Sequence, residues 1–476
     1  MRRALVFCIV AFCCISVQAA DKPRAVQPTP PNIVFIMSDD HAAHALRCYG
    51  NKIISTPNID RLAGQGMRFT MALGVHSLCA PSRAVLLTGK HSHLNGMTGN
   101  FTRFDGAQQT FPKLLQAAGY ETAIVGKWHL GYAPPTGFDY YKIMRGQGAY
   151  YDCKFLETGK DWHIEKGYLT NVITDTSIDW LKNRRSDKPF CLMVHHKAPH
   201  GPYDHELRHA KLFEDLTIPE PDTLYDDWST RDPLRTGKYP PSKMLDGSWP
   251  RENYQPFLDS VPNDRRARIS LLYQMLFKDY FRLVVSLDEN VGRLLDYLDQ
   301  AGLNENTIVI YTSDNGFFLG EHGLYNKMWM YEESLKLPLI VRYPGVVKPG
   351  SVNDDLVCNL DFASTFLDFA GAEVPADMQG KSIRPLLLGE RPADWRQSVY
   401  YHYHGAYDMP EHYGLRTKTH KLIHFPKYGD GNYWELFDLD NDPRELHNIY
   451  DNPAQAERVA ELKAELKRLH KTLNDE

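Results

Sequence analysis

A series of apolar, β-rich runs, separated by helical stretches, extends from residue 32 to about residue 385 and limits this chain to few fold classes. The runs are continuously apolar rather than alternating, which is typical of strands buried on both faces of a parallel sheet. They are Asn32–Met37, Thr122–Val125, Phe190–His195, Thr307–Thr312 and Pro338–Arg342. Helical patterns between them include Phe111–Ala118 and a long stretch from about Arg265 to Gln300. The alternation predicts an α/β fold in which helices sandwich a large, mostly parallel sheet.

After about residue 390 the pattern becomes one of short strand-like runs separated by turn residues, which predicts a smaller antiparallel sheet. The runs are Val399–His402, Tyr413–Thr417, Lys421–His424 and Trp434–Asp438. A final amphipathic helix is predicted from the helical spacing of Val459, Leu462, Leu466, Leu469 and Leu473. We therefore predict a large α/β domain over residues 32–389 and an α+β subdomain over residues 390–476. Residues 204–262, rich in Pro and Asp, are expected to be a surface excursion, either shaping a binding site or simply solvated.

The first residues have the pattern of a targeting segment. Arg2 and Arg3 precede an apolar run, Ala4–Val17, and small residues around Ala19 form a cleavage site. The run is short for a bilayer span, so a signal peptide over residues 1–19 is favoured over a membrane anchor, and no stable membrane insertion is expected. Residues 20–31 are predicted to be a Pro-rich tether. The protein is therefore expected to be exported to the periplasm or the extracellular space.

Charge and cysteine content narrow the function classes. The net charge of -5 gives no basic footprint for nucleic acid. Removal of the signal peptide leaves five cysteines, and an odd count in an exported protein indicates one cysteine with separate chemistry. The other four form two disulfides or none, and the wide spacing of the five matches no zinc motif. They are Cys48, Cys79, Cys153, Cys191 and Cys358.

Polar side chains follow four of the five predicted strands. In open α/β sheets ligands bind just beyond the carboxyl ends of the strands, so these side chains are expected to meet at one edge. Two of the strand ends supply only oxygen ligands, which suit calcium or magnesium better than zinc. The residues at the four ends are Asp39, Asp40, Lys127, His129, His200, Asp314 and Asn315.

Cys79 lies close to the start of a predicted helix. Pro81 is at a position typical of a first helical turn, and Arg83 to Leu87 favour its continuation. Cys79 would then lie at the positive end of a helix, where an anion settles. From the residues alone, two other interpretations stay open: a small buried apolar residue, or a thiol nucleophile, although no Cys–His pattern marks one.

The segment from Cys79 to Arg83, CAPSR, followed by Leu-Thr-Gly, resembles the maturation signature of the type I, formylglycine-dependent sulfatases of the alkaline phosphatase superfamily. Gly119–Thr122, continuing through GKWHLG at Gly126–Gly131, resembles the second signature of that family. The resemblance extends from about Asn32 to the C-terminal helix. It implies that a formylglycine-generating or sulfatase-maturating enzyme oxidises Cys79 to formylglycine.

The resemblance also implies a role for each polar residue. One calcium ion would be held by Asp39, Asp40, Asp314 and Asn315 together with the modified Cys79. Arg83 would hold the aldehyde hydrate. Lys127 and Lys327 would bind sulfate oxygens as point charges. His200 would protonate the departing alcohol, and His129 would accept a proton from the hydrate.

Two further segments, Asp314–Pro344 and Tyr400–Asn448, resemble carbohydrate sulfatases of the N-acetylglucosamine-6-sulfatase type. The implied substrate is a sulfated carbohydrate, and the alternative is an aromatic-rich packing interface at these residues. The candidate sugar contacts are His322, His402, His404, His412 and Arg416. Other functions remain open: a sulfatase for another sulfated sugar or an aryl sulfate, a phosphate or phosphonate ester hydrolase of the same superfamily, and a non-catalytic glycan-binding protein.

Overall fold

The computed structural model describes residues 30–184, 187–236, 251–261 and 264–475. The predicted signal peptide, residues 1–19, and all but the last two residues of the predicted tether lie outside these ranges. Within them, no helix combines the length and the apolar character needed to cross a membrane.

The strands of the described residues are, in chain order, β1 (Asn32–Asp39), β2 (Met67–Phe69), β3 (Ala72–Leu73), β4 (Glu121–Gly126), β5 (Tyr140–Met144), β6 (Lys154–Glu157), β7 (His163–Ile164), β8 (Phe190–Pro199), β9 (Thr307–Ser313), β10 (Phe318–Leu319), β11 (Tyr325–Asn326), β12 (Leu339–Arg342), β13 (Ser351–Asn353), β14 (Val357–Cys358), β15 (Ser398–Tyr403), β16 (His412–Thr417), β17 (His420–Phe425) and β18 (Tyr433–Asp438). The helices are α1 (Pro57–Gln65), α2 (Cys79–Thr88), α3 (Ser92–Asn95), α4 (Phe111–Ala117), α5 (Leu169–Asn183), α6 (Asp232–Thr236), α7 (Arg251–Leu258), α8 (Arg265–Gln300), α9 (Glu332–Leu335), α10 (Asp361–Ala370), α11 (Arg384–Leu387) and α12 (Ala456–Leu473).

Ten of the strands form one large sheet, in the order β13-β2-β12-β9-β1-β8-β4-β5-β6-β7. The strands from β9 to β5 are mutually parallel, and β12 joins β9 in the antiparallel sense. Alternate residues of β1 enter two different hydrophobic cores, with Val34 and Ile36 on one face and Ile33 and Phe35 on the other. This is the burial expected of a central strand covered on both sides by helices. The predicted α/β sandwich is confirmed.

The C-terminal strands form a separate four-stranded antiparallel sheet in the order β15-β16-β17-β18, as predicted. Its two faces are both buried. Tyr401 and Tyr403 pack into the core of the large sheet, whereas Tyr400 and Leu415 pack with Leu466 of α12. The small sheet completes the core of the large one, so packing is continuous between the two sheets. The domain boundary at residue 389 stays a prediction.

The excursion predicted over residues 204–262 is more closely packed than a solvated insertion. In its described part, Ile218, Leu224, Trp228 and Leu234 are buried in the same core as helix α8. The five cysteines from Cys48 to Cys358 are all free. The odd number of cysteines therefore does not single out one unpaired residue. Cys79 is distinguished by its position instead.

Candidate active site

Four carboxylate and amide side chains meet where β1 and β9 end. The two strands are parallel, and Ser38 is paired with Ser313 at their last shared register. Asp39 and Asp40 therefore lie beside Asp314, and one carboxylate oxygen of each lies within 4.8 Å of the others. Asn315, the next residue, donates its side-chain N–H to Asp40 Oδ1 at 2.6 Å. All four side chains are buried.

The two strands on the other side of β1 bring cationic and imidazole groups to the same edge. His195 of β8 is paired with Met37 of β1 and with Gly126, the last residue of β4. Lys127 therefore emerges beside Asp39, and its Nζ forms an ion pair with that carboxylate. His200 follows the end of β8, and its Nε2 lies 3.6 Å from Asp40 Oδ2.

Helix α2 delivers Cys79 to this edge, and the helix begins at Cys79 itself rather than at Pro81. One turn later, Arg83 donates from Nε and Nη2 to Asp314 Oδ2, at 3.1 and 2.8 Å. Its Nη1 donates to the carbonyl of Lys127 at 2.6 Å. The Ser82 hydroxyl donates to the carbonyl of Asp314 at 2.5 Å. These bonds fix the start of the helix so that Cys79 Sγ, an Asp39 oxygen and a His200 nitrogen lie within 4.8 Å of one another.

Lys327 completes the ring of charges. It follows β11, and its Nζ lies 2.5 and 2.6 Å from the two oxygens of Asp40. Burial opposes its charge, but the carboxylates, Asp40 first, raise the pKa of Lys327 well above its usual value. It is therefore a fixed positive charge at this edge.

The carboxylate cluster fits a hard divalent cation. Oδ1 of Asp39 and Oδ1 of Asn315 are buried and have no hydrogen-bond partner among the described residues. Burial, followed by the charge of Asp39, raises the pKa of Asp314 to about 7. Crowded carboxylates with orphaned oxygens are the donor set that calcium takes, and no thiolate or imidazole is needed to complete it.

The environment of Cys79 disfavours an unmodified thiol nucleophile. Burial raises the pKa of the Cys79 thiol to about 12, although Lys127 and Lys327 act in the opposite direction. The thiolate is the reactive form of cysteine, so a thiol held protonated at neutral pH is inert.

Three hydrogen bonds from side chains help to hold the loop that carries His200. Tyr150 donates its hydroxyl to the carbonyl of His200, and Lys197 Nζ donates to the carbonyl of Gly201, both at 2.7 Å. His200 Nδ1 lies 2.6 Å from that same carbonyl of Gly201, so it carries the proton and Nε2 is the nitrogen that faces Asp40. Burial lowers the pKa of His200 well below its usual value, although Asp39 acts to raise it.

His129 lies at the same strand end. It is half-buried, and its Nδ1 has no hydrogen-bond partner in the described part of the chain. Burial first, and then Lys127 and Arg83, lower the pKa of His129 to about 2, so the ring is neutral at ordinary pH.

A cavity of about 330 Å³ opens onto Asp40, His200 and Lys327. Its volume is near the lower end of the range for small-molecule sites, about 300–1,000 Å³. Much of its wall comes from residues that sequence reasoning did not identify, because they lie on loops with no periodic pattern. Among them are Asn100, Gln147, Tyr203, Phe317 and Tyr407.

Three of the predicted sugar contacts, His322, His412 and Arg416, are buried and packed against other side chains, and their role in sugar binding stays a prediction. His412 is fully buried and stacks on Trp329. His322 is fully buried and hydrogen-bonds Asp226 through Nδ1 at 2.9 Å. Arg416 is buried, and two of its nitrogens lie 3.1 and 3.0 Å from the carboxylate of Glu332. These contacts favour a packing role for all three side chains.

The other two candidates, His402 and His404, are half-buried, and their role stays a prediction. Both ring nitrogens of His402 are engaged, Nδ1 with Asp475 at 2.7 Å and Nε2 with Glu411 at 3.3 Å. His404 stacks on His402 with ring centroids 3.8 Å apart. Its Nε2 has no hydrogen-bond partner within the described ranges.

Replacing Arg416 with alanine is expected to lower the free energy of unfolding by about 2 kcal/mol, because Glu332 loses two buried hydrogen bonds to a charged group but keeps its ion pairs with Lys336 and Lys421. Denaturant unfolding measures the change. The matched control is Arg458→Ala, which removes an exposed pair with Glu461 and should change stability by less than about 1 kcal/mol. Unchanged stability together with a raised KM for a sulfated sugar would restore the sugar-binding role.

Two family models and several known proteins match this chain. The sulfatase family model matches residues 31–372, and the model for the C-terminal region of N-sulphoglucosamine sulphohydrolase matches residues 320–472. An N-acetylglucosamine-6-O-sulfatase of Bacteroides thetaiotaomicron is 44% identical, over 97% of this chain and 90% of that protein. Human N-acetylglucosamine-6-sulfatase is 29% identical, over 79% of this chain and 67% of its own length.

A solved structure of a protein in complex with its substrate, D-glucosamine-2-N,6-O-disulfate, is also similar to this chain. It matches with a TM-score of 0.87 at 42% identity, covering 94% of this chain and 99% of the other. The family model spans most of the chain, and the first of these relatives spans nearly all of it. The chain therefore belongs to the sulfatase family of sulfuric ester hydrolases.

Proposed function

We propose that this protein hydrolyses sulfate monoesters of carbohydrates, with 6-sulfated N-acetylglucosamine as the leading substrate. The observation that carries the proposal is the site geometry: a ring of fixed cations surrounds the start of helix α2 and opens into a cavity near the small end of the ligand-site range. Similarity over nearly the whole chain to an N-acetylglucosamine-6-O-sulfatase supports the choice of sugar.

Cys79 is proposed to be oxidised to formylglycine by a maturating enzyme, and its position supports this. The unmodified thiol is buried and held protonated, whereas a hydrated aldehyde in its place would supply a hydroxyl as nucleophile. Arg83, fixed by Asp314, lies one helical turn away and is proposed to hold that hydrate.

Asp39, Asp40, Asp314 and Asn315 are proposed to hold one calcium ion. When bound, calcium supplies charge that stabilises a deprotonated hydroxyl and the developing charge on sulfate. The orphaned oxygens of Asp39 and Asn315 support this assignment.

Lys127 and Lys327 are proposed to bind the sulfate oxygens. Each ammonium group carries three donors, so each can keep its aspartate partner and still donate to a sulfate oxygen. Preorganised charge of this kind costs no reorganisation when the reaction occurs, which is why it lowers the barrier.

His200 is proposed to protonate the departing sugar oxygen through Nε2, the nitrogen that faces the carboxylates. Binding of the anionic substrate opposes the burial that lowers the pKa of His200, and so favours the charged, donating form. His129 is proposed to accept the proton that is released when sulfate leaves. Its unpartnered Nδ1 supports that role.

Recognition of the sugar is proposed to involve Asn100 and Gln147 in the cavity wall. The side-chain carbonyl of Gln147 is buried and has no partner among the described residues, so a sugar hydroxyl or amide N–H can donate to it. His402 and His404 remain candidates for contacts at the edge of the cavity.

The location is proposed from the same relationship. The predicted signal peptide at residues 1–19 and the substrate class support action in the periplasm or outside the cell, on sulfated glycans.

The substrate proposal predicts a defined order of reactivity. Among sulfated monosaccharides, N-acetylglucosamine-6-sulfate is expected to have the highest kcat/KM, and a small aryl sulfate should be at least about tenfold poorer, because sugar contacts position the ester for attack. Sulfate release from a panel of sulfated sugars, an aryl sulfate and the matching phosphate esters measures this order. Faster turnover of sulfated galactose or of uronic acid sulfate would refute the choice of sugar, and faster turnover of phosphate esters would refute the sulfatase chemistry.

A further inference from the structure

Two exposed aromatic side chains stand together at the mouth of the active-site cavity. Tyr407 lines the cavity and is 39% exposed, and Phe101 is 87% exposed. Their ring centroids are 5.6 Å apart. Phe101 follows Asn100, which also lines the cavity, so the pair continues the cavity wall outwards.

The pair is held in place from the catalytic side. The side-chain oxygen of Asn100 accepts from the backbone N–H of Ala80, and its Nδ2 donates to the Tyr407 hydroxyl, both at 3.0 Å. The Phe101–Tyr407 pair is thus linked through Asn100 to Ala80, the residue directly after Cys79. Tyr407 and Asp408 also have positive φ angles of 52° and 61°, a conformation that is uncommon for residues other than glycine and costs about 1–3 kcal/mol each.

The size of the cavity limits which part of a glycan can contact the Phe101–Tyr407 pair. At about 330 Å³, and with His200 and Lys327 in its lining, it accommodates one sugar unit rather than an oligosaccharide. Any further unit of a glycan chain must lie outside, at the mouth. Aromatic rings offer a flat apolar surface against which the C–H face of a pyranose ring packs.

We propose that Phe101 and Tyr407 form a binding platform for the sugar next to the sulfated one, so that the protein prefers an oligosaccharide to a free monosaccharide. This inference rests on the proposed carbohydrate sulfatase function. It adds a second sugar-binding position, outside the cavity, whose ligand is an unmodified or sulfated pyranose recognised through its apolar face.

The test compares Phe101→Ala with wild type on two substrates, N-acetylglucosamine-6-sulfate and a disaccharide that carries the same sulfated sugar at its non-reducing end. The ratio of kcat/KM for the disaccharide to that for the monosaccharide is expected to fall about tenfold, the effect of removing an aromatic anchor. Phe101→Trp should restore the ratio. Ile164→Ala, at a residue 61% exposed on the edge strand β7, should leave it unchanged.

Each other result is decisive against the platform. An unchanged ratio in Phe101→Ala overturns it and leaves the carbohydrate sulfatase function standing. An equal loss on both substrates assigns Phe101 a structural role. A change in oligomeric state by light scattering, with the ratio unchanged, makes the pair a contact between copies. If wild type is inert towards every sulfated sugar and active on an aryl sulfate, the proposed function fails and the platform fails with it.

Discussion

A Cys79→Ala variant is expected to lose about 10⁴-fold or more in kcat on any sulfate ester while keeping its fold. Alanine cannot be matured to an aldehyde, so the site would keep its cations and lose its nucleophile. The fold should survive, because the start of α2 is held by Arg83 and Ser82 rather than by the thiol. Steady-state sulfate release and a thermal unfolding curve measure the two properties.

The matched control is Cys191→Ala. Cys191 is buried in β8 and pairs with Ile33 of β1. Ile33 is at the end of β1 opposite to Asp39, so Cys191 is far from the active site. Its loss should cost some stability and little activity. Normal turnover by Cys79→Ala would rule out the formylglycine mechanism, whatever the behaviour of the control.

An Asp314→Ala variant is expected to lose on the order of 10³-fold in kcat/KM, because it removes a proposed calcium ligand and the partner that fixes Arg83. Calorimetric titration of the metal-stripped variant should show calcium affinity lowered by at least about tenfold. In wild type, a chelator should abolish activity, and calcium should restore it better than zinc. Asp288→Asn is the control, because that buried carboxylate caps α1 by accepting from Asn58 and Ile59 and takes no part in the site.

The same site predicts a pH dependence of calcium binding. With its pKa raised to about 7, Asp314 is protonated below that pH and must lose a proton to bind the ion. Calcium affinity should therefore rise as pH increases through about 7, with proton release on binding below it. Affinity that is independent of pH, or normal binding and turnover by Asp314→Ala, would show that the cation is held elsewhere.

The convergence of the site could be predicted from the sequence because it follows from the topology of a parallel sheet. Polar residues directly after apolar runs, such as Asp39 and Asp314, must meet when their strands are neighbours in register. Helix α8, Arg265–Gln300, was equally predictable, since a long amphipathic period needs no tertiary information.

The extent of β8 was not predictable in the same way. Apolar content falls after Val194, yet the strand continues to Pro199, and the side chains of His195, His196 and Lys197 are buried within it. Polar residues in a strand interior break the apolar pattern that marks a strand, and here His195 contacts Lys127 and Arg83 whereas Lys197 holds the loop that carries His200.

The sugar contacts were predicted least well, for two physical reasons. A polar residue in a strand gives no sign of whether its partner lies inside the protein: Arg416 is paired with Glu332, which is 84 positions away in sequence. The cavity wall, in contrast, comes from loops such as those of Gln147 and Tyr407, whose paths are set by packing rather than by any local pattern.

An aldehyde at Cys79 is proposed to drive hydrolysis of a sugar sulfate. This mechanism is tested by preparing the protein at several levels of maturation and comparing two quantities. One is the aldehyde fraction of the Cys79 peptide by mass spectrometry, and the other is the rate of sulfate release from N-acetylglucosamine-6-sulfate. The rate is predicted to rise in proportion to the aldehyde fraction and to vanish with it. An aldehyde-free preparation that releases sulfate as fast as the fully matured protein would contradict the claim.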